Sequence, residues 1–532
     1  MSYNHWFISR QKRRLTSILD ALIAFSDICV GKPWSGNQDL QLTLEDALGE
    51  RNITGHGSLR ARRSNEGGGG IRTLFTQMKD LGLVFCEDLN NKCRLTLVAE
   101  SMIKGDISFV KAMTLQLQRY QYPSATRLSG SGSVSQEFKV HPFKFLFRLM
   151  RDSRLRNKIS MDETYGIVIH YAKSDSDEVY EDVVSRILKH RNGEECNFVN
   201  DDRNQTFRNI ANTFFNYISL TQLVERENAS ISIRTGKENE VDAFINDVNE
   251  FIPNPHLSEN YTRKFGRGLV SKDLRNFDRE GMPSQREIKE TRIRKEFVLL
   301  AMKTPITGIT SYVIDIISNK TGFGQAEVES FLRANFTAGN VDDFFVAYKE
   351  LAHLGQSGAR DFELATVELF RNIFHMRSEH VGSIGNTPDV FVESLEQGVC
   401  GIIDNKAYKN NYTISGDHKR RMTDVYIPNY RVYGQTDKPL AFFVYIANSF
   451  GRTINAGIRS IFESTNIKGS AIPVDTFINF AQDYLKLEYD HRQIIELFSK
   501  NREICINDIE NIRSDLTEDI GMVAEPQGDY KA

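Results

Sequence analysis

Thr387-Pro388-Asp389-Val390-Phe391-Val392, a short connection, and Cys400-Gly401-Ile402-Ile403-Asp404-Asn405-Lys406-Ala407-Tyr408 are the segments on which the reading of this chain turns. Each is a β-branched and apolar run edged by an acid, the pattern of a strand. Side chains alternate faces along a strand, so Asp404 and Lys406 point one way and Asn405 the other. If the two strands pair, Asp389 comes alongside, and two carboxylates and one ammonium converge. Two hard oxygen ligands beside a cation suit Mg²⁺ and a phosphodiester that the ion would activate.

A bare D…DxK pattern recurs by chance, so its neighbours must give it weight. Pro388 stands where a strand begins and a missing N–H costs least. Residues 398 to 403 carry no charge, as expected of a strand buried on both faces. An acid and a lysine closing such a strand are costly unless they pair or bind something.

With those residues in place, the segment from Asp361 to Met422 resembles the cleavage domain of FokI and related type IIS restriction endonucleases, a branch of the PD-(D/E)xK nucleases. The matching pieces are the helix from Phe362 to Phe370, then His380-Val381-Gly382, Pro388-Asp389 and Ile403 to Tyr408. The likeness continues from Tyr412 to Gly416 and into a later strand, Ala441 to Ala447. The resemblance implies that Asp389 and Asp404 are metal ligands. It also implies that Lys406 orients or deprotonates the attacking water, and that Glu368 on the helix holds a metal-bound water; a solvated helix charge is the other reading of Glu368. Lys419-Arg420-Arg421 departs from the family, whose corresponding region is more acidic and belongs to its dimer contacts.

The 532 residues are too many for one core and imply three or more domains. No apolar run is long enough to span a bilayer, since Leu15 to Val30 is broken by Asp20 and Asp27. The N-terminus lacks the apolar core and cleavage site of a signal peptide, so a cytoplasmic protein is expected, with no membrane partner. Six scattered cysteines form no CxxC pair, which argues against structural zinc and a disulfide framework. Cys86 and Cys93 flank Asn90-Asn91 and could face each other across a hairpin as buried thiols. Net charge is only −3, but residues 51 to 150 carry 15 Lys and Arg against 7 Asp and Glu, and residues 501 to 532 carry 3 against 8. A basic section near the N-terminus suits a protein that holds a polyanion there.

The N-terminal half has the layout of a DNA reader. An amphipathic helix over residues 10 to 29 carries Leu15, Ile18, Leu19, Leu22, Ile23 and Phe25 on one side. An arginine-bearing stretch with Arg60, Arg62 and Arg63 leads into Gly67 to Gly70, where the backbone can turn tightly or approach a phosphate. A helix over Ile71 to Leu81 follows, with Ile71, Leu74, Phe75 and Met78 inward and Arg72, Thr73, Thr76, Gln77 and Lys79 outward. Strands either side of Asn90-Asn91 and a helix from Leu97 complete a winged-helix pattern, in which the helix enters the major groove. The layout repeats in a helix over Asp202 to Tyr217, with Arg203, Asn204, Gln205 and Arg208 outward. A hairpin over Thr221 to Arg234 and a helix over Glu238 to Val248 then close it. Arg, Gln, Asn and Thr are the types that read base edges, while lysines mostly hold phosphates. This half resembles the recognition region of AlwI-type restriction and nicking endonucleases through Arg94-Leu95-Thr96, Tyr120-Gln121-Tyr122-Pro123 and Arg208 to Ile233.

Pro253 to Arg292, rich in Pro, Gly and charge, reads as a linker in which Arg263, Lys264 and Arg267 could touch phosphates. Helices over about Ile288 to Met302 and Gln325 to Leu351 lead onward. The expected chain is therefore α+β and multidomain: winged-helix DNA-recognition domains at 1–140 and 141–252, a linker and connecting helix at 253–324, and an α/β PD-(D/E)xK nuclease domain with a mixed central sheet at 325–532. Its expected work is Mg²⁺-dependent hydrolysis of double-stranded DNA at a fixed distance outside a short asymmetric site. One nuclease domain per chain implies dimerisation or successive nicks for a double-strand break. The resemblance adds a bacterial cytoplasm and a cognate DNA methyltransferase. A strand-specific nicking enzyme, the large subunit of a heterodimer, and an inactive winged-helix regulator are the alternatives. Gly67 to Gly70 and Gly322-Phe323-Gly324 lack the GK[ST] of a P-loop, so nucleotide hydrolysis has no support.

Overall fold

In a computed structural model of the chain, contacts gather into two units: residues 1–299 with 317–323, and residues 300–316 with 324–532. The structure describes residues 4–9, 15–50, 69–124, 137–201, 203–227, 229–247, 249–252, 258–269, 272–277, 284–336, 341–382, 386–408, 411–487 and 489–523. Among them no helix is long and apolar enough to cross a membrane.

In the first unit, helix α1 (Ser17–Ile28) buries Ile18, Leu19, Leu22, Ile23 and Phe25 together with Ala21 and Ala24, so it is enclosed around most of its girth. Helix α2 (Gly69–Asp80) turns Ile71, Leu74, Phe75 and Met78 inward, and the Phe75 ring stacks on Trp34 at 4.4 Å. It stops where Gly82 takes φ +70, a conformation that costs glycine nothing. Strands β1 (Val84–Cys86) and β2 (Cys93–Leu95) pair antiparallel, with Cys86 opposite Cys93 and both thiols free. Helix α3 (Leu97–Lys104) then starts at Thr96, whose side chain accepts from the Ala99 amide.

The second layout is richer than the hairpin expected of it. Helix α4 (Pro142–Arg151), with proline in its first turn, precedes a short strand β3 (Lys158–Ser160). Helix α5 (Asn204–Ser219) is followed by β4 (Val224–Glu227) and β5 (Ser230–Ile233), and the three strands form one antiparallel sheet in the order β3-β5-β4. Three residues of Lys-Ile-Ser give too short a window for alternation to reveal β3.

Within the stretch read as a linker, residues 258–269 and 272–277 make packed and paired contacts. Helix α6 (Ser258–Phe265) buries Tyr261 and Phe265, and the Gly266 carbonyl accepts from the Val98 amide at 2.9 Å. A Cβ at Gly266 would lie 2.3 Å from the Gly82 carbonyl oxygen, so glycine is what lets these backbones meet. Arg263 is held by Glu259 and by the Asp273 and Arg275 carbonyls, and Arg275 donates to the Leu95 carbonyl at 3.0 Å. Composition suggested mobility, but these charges pair with one another. The helix foreseen over 325 to 351 is likewise two, Gln325–Asn335 and Asp342–Leu351.

In the second unit, helix α7 (Ala359–Asn372) leads into a five-stranded sheet in the order β10-β9-β8-β7-β6. Strands β6 (Arg377–His380), β7 (Val390–Ser394) and β8 (Val399–Lys406) run antiparallel in turn, while β8, β9 (Leu440–Ala447) and β10 (Gly469–Pro473) run parallel. The sheet is therefore mixed, and the uncharged run expected of a doubly buried strand is its central member, β8. One core holds Ile403, Val444 and Ile446 against α7 and helices α9 (Val474–Tyr484) and α10 (His491–Phe498). The other holds Phe391, Ile402, Phe443 and Tyr445 with Ile458 of helix α8 (Ile454–Thr465). Each such fully buried side chain is worth about 1.5–3 kcal/mol. The register thus decides which face of β8 each polar residue takes.

Candidate active site

Strands β7 and β8 pair with Val390 opposite Ile403, which sets Asp389 opposite Asp404, one step beyond the ladder. The Asp389 amide donates to the Ile403 carbonyl at 3.1 Å, and Asp389 Oδ2 accepts from the Asn405 amide at 2.6 Å. Both carboxylates lie on the face of Phe391 and Ile402. Asn405 takes the opposite face, where its Nδ2 donates to Thr366 Oγ1 at 2.7 Å. Lys406 returns to the first face, its Nζ 2.7 Å from Asp404 Oδ2. The alternation read from the sequence is the arrangement found.

The electrostatics of this cluster are those of buried like charges. Burial, and then the Asp404 carboxylate, pushes Asp389 well above the ordinary carboxylate range; Lys406 opposes the shift and Glu363 adds to it. Burial alone would lower Lys406, but Asp404 and Asp389 outweigh it and raise the ammonium above its usual value. One ammonium cannot neutralise two buried carboxylates, and a second cation would. Among the described residues no three His, Cys, Asp or Glu side chains converge to cage a metal. Asp389 and Asp404 are the residues that could hold a divalent cation here, since carboxylate oxygens are the ligands such ions take.

The helix acid that joins the cluster is Glu363. A Cβ at Gly382 would lie 3.2 Å from Glu363 Oε2 and 3.3 Å from Asp389 Oδ1, so the glycine leaves the two carboxylates flanking one gap. His380 at the end of β6 meets Glu363 Oε2 at 2.7 Å through Nε2. The carboxylate of Glu368, expected to serve here, is engaged away from the cluster. Its carboxylate accepts from Arg371 and Asn372, each at 2.9 Å, and from the Tyr312 hydroxyl at 3.4 Å. Five residues of helix rotate a side chain by about 140°, so Glu363 and Glu368 cannot share a face. Helical phase relative to Phe362, Ala365, Leu369 and Phe370 was the signal that separates them.

Aromatic residues close the other side of Lys406. Its Nζ lies 5.9 Å from the Tyr412 ring centre, and the Tyr412 hydroxyl and His418 Nδ1 are 2.9 Å apart. Burial, with Asp404 next, raises the Tyr412 phenol, and burial with Lys406 lowers His418. Tyr445 stands opposite Asp404 on β9 and is fully buried. Tyr412 and Tyr445 carry no sequence-level role, because aromatic residues in a strand or loop read as core, and His418 has no metal-ligand spacing around it.

The residues chosen as DNA contacts divide. Arg72 and Thr73 are exposed on α2 and Lys79 is half-buried, with Arg72 Nε donating to Gln41 Oε1 at 3.0 Å. Arg203, Gln205 and Arg208 are exposed at the start of α5 and Asn204 is half-buried. Arg203 pairs with Asp201 at 2.7 Å, and Arg208 reaches Asp162 at 3.3 Å and the Tyr165 hydroxyl at 3.2 Å. Gln77 is a correction: it is wholly buried and donates to the Tyr217 hydroxyl of α5. It lies about 60° from Leu74 around the helix, at the edge of the apolar side, and its polar type hid that burial. Arg60, Arg62 and Arg63 lie outside the described residues.

Comparison with known proteins agrees with this geometry. Residues 322–505 match the family described as FokI, cleavage domain, which includes Asp389, Asp404 and Lys406. Residues 101–236 match the family described as type II restriction endonuclease HgaI, N-terminal domain. The chain is a type II restriction endonuclease. As such it is a DNA hydrolase, and its second unit is a FokI-type cleavage domain. Among solved structures, restriction endonuclease FokI aligns at 11% identity over 82% of this chain and 83% of that one, with a TM-score of 0.29. FokI bound to DNA aligns at 11% identity over 95% and 99%, with a TM-score of 0.30. The BpuJ1 endonuclease binding domain, in complex with modified DNA, aligns at 14% over 55% of this endonuclease and 95% of that chain, with a TM-score of 0.33. Scores at that level do not establish a shared arrangement of whole chains. No curated protein matches the endonuclease.

Proposed function

We propose that this endonuclease is a type IIS enzyme that binds a short asymmetric DNA site through its first unit and, with Mg²⁺, hydrolyses phosphodiesters at a fixed distance outside it. The observation that carries the proposal is the register of β7 on β8, which opposes Asp389 to Asp404 and leaves Lys406 2.7 Å from Asp404. Asp389 and Asp404 would hold the cation, which when bound polarises the scissile phosphate and lowers the cost of charge on the leaving oxygen. Lys406, on the same face, orients the attacking water and offsets charge that develops on phosphate. Glu363, fixed by His380, takes the water-holding role first assigned to Glu368.

In the first unit, two winged-helix modules are proposed, one built on α2, β1 and β2 and the other on α5 and the β3-β5-β4 sheet. Arg72, Thr73, Arg203, Asn204, Gln205 and Arg208 are proposed to reach base edges, with Lys79 and Arg60, Arg62 and Arg63 on phosphates. Exposure of Arg72, Thr73, Arg203, Gln205 and Arg208 supports this. One catalytic centre per chain points to two chains for a double-strand break.

A supercoiled plasmid with Mg²⁺ tests the reading. Linear product with a constant offset from one site is expected, and Asp404→Ala should abolish it while retaining the gel shift. Open circles alone would instead mean a nicking enzyme. An unchanged plasmid across all site-bearing DNAs would leave a DNA binder without activity.

A further inference from the structure

Tyr445 on β9 pairs with Asp404 in the parallel register of β9 on β8, so the two side chains stand side by side on one face of the sheet. The residue is wholly buried, and its hydroxyl finds no hydrogen-bond partner among the described residues. It is packed at the Asp404 end of the core: its ring centre is 5.7 Å from that of Tyr412, whose own hydroxyl is satisfied by His418. Asp404 Oδ2 is already taken by Lys406. An unpartnered buried hydroxyl costs stability, and apolar replacement normally recovers it. Phe442 and Phe443, both wholly buried on the same strand, show that β9 accommodates a bare phenyl ring. A hydroxyl kept at a loss beside a candidate metal ligand calls for a role outside the fold.

We propose that Tyr445 is a positioning residue of the catalytic centre: its hydroxyl donates a hydrogen bond into the hydration shell of the cation beside Asp404. This rests on the reading of Asp389 and Asp404 as a Mg²⁺ site. A phenol at neutral pH offers one donor, which is what an oriented shell water or an outer carboxylate lone pair can accept. Being wholly buried, Tyr445 cannot touch DNA, so its contribution should fall on turnover and cation affinity and not on substrate binding.

The test is Tyr445→Phe in the full chain. In metal-free buffer the variant should melt at or above the wild-type temperature, and its Mg²⁺-induced rise in melting temperature, read without DNA, should be smaller. On a plasmid that the wild type cuts, kcat should fall about 10- to 100-fold, the range typical when a partner of a metal-bound group is removed. KM for DNA should be unchanged, and half-saturating Mg²⁺ should rise. Wild-type kcat and Mg²⁺ dependence in the variant would overturn the proposal, and so would a lowered melting temperature, which would give the hydroxyl a structural partner. If the wild type itself neither binds Mg²⁺ nor cuts, the reading of the carboxylate pair fails and this inference falls with it.

Discussion

Lys406→Met separates the ammonium's part in folding from its part in chemistry. The side chains of Lys406 and Asp404 are 14% and 5% exposed, so theirs is a buried ion pair. Removing one partner of such a pair costs about 3–5 kcal/mol, because the other charge is left buried alone. Here the abandoned Asp404 would also face Asp389, a like charge already disfavoured by burial. A loss of about 3 kcal/mol is the low end, and for a unit of this size it lowers the melting temperature by roughly 6–12 °C. Asp404→Asn should cost less, about 1 kcal/mol, since Lys406 keeps Asp389 as a partner. The double variant carries neither charge of the pair and should lie close to Asp404→Asn, giving a coupling near 3 kcal/mol. Thermal melts of the four proteins in metal-free buffer measure this. A double variant that melts as low as the two single losses added together would refute the pairing. So would Lys406→Met melting with the wild type.

Asp389→Asn keeps an oxygen for the Asn405 amide but removes a carboxylate whose folded value lies above its unfolded one. Between those values the folded state holds more protons than the unfolded, so wild-type stability falls as pH rises through that window. In metal-free buffer the variant should melt above wild type at pH 8, and the gap should close toward pH 4; a gap that does not depend on pH contradicts the shift. Gly382→Ala would put a Cβ within 3.3 Å of both Glu363 Oε2 and Asp389 Oδ1. A displacement of a few tenths of an ångström should lower kcat about tenfold, with little loss of melting temperature; unchanged turnover would show that Glu363 and Asp389 need no fixed spacing. Gln77→Ala should destabilise the first unit by about 1–3 kcal/mol by leaving the Tyr217 hydroxyl short of its donor. It should not relax sequence preference, whereas Arg72→Ala should, by about 1–3 kcal/mol at one base; end-sequencing of cut libraries distinguishes the two.

The centre of the cleavage unit was legible because its signal is local. A period of two places Asp404 and Lys406 together, and an apolar run marks β8 as central, with no knowledge of distant contacts. Glu363 was harder, since the choice between it and Glu368 depends on the phase of α7 against the sheet. Tyr445 was invisible to pattern reading: its relation to Asp404 comes from a parallel pairing of strands some forty residues apart in sequence. In the first unit, helix positions could be read but side-chain fates less well. Gln77, Arg263, Asp273 and Arg275 look solvated by type, yet they are wholly or partly enclosed because tertiary partners satisfy them, as Tyr217 does Gln77 and Asp273 does Arg275. Strand β3 fell below the length at which alternation can be seen.

Crystals of the full chain soaked in Mn²⁺, which scatters anomalously and substitutes for Mg²⁺, would locate the ion itself. An anomalous peak within coordination distance of both Asp389 and Asp404 is the expected result, lost in Asp404→Ala. A peak elsewhere, or none at these carboxylates under conditions in which the protein cuts DNA, would contradict the account.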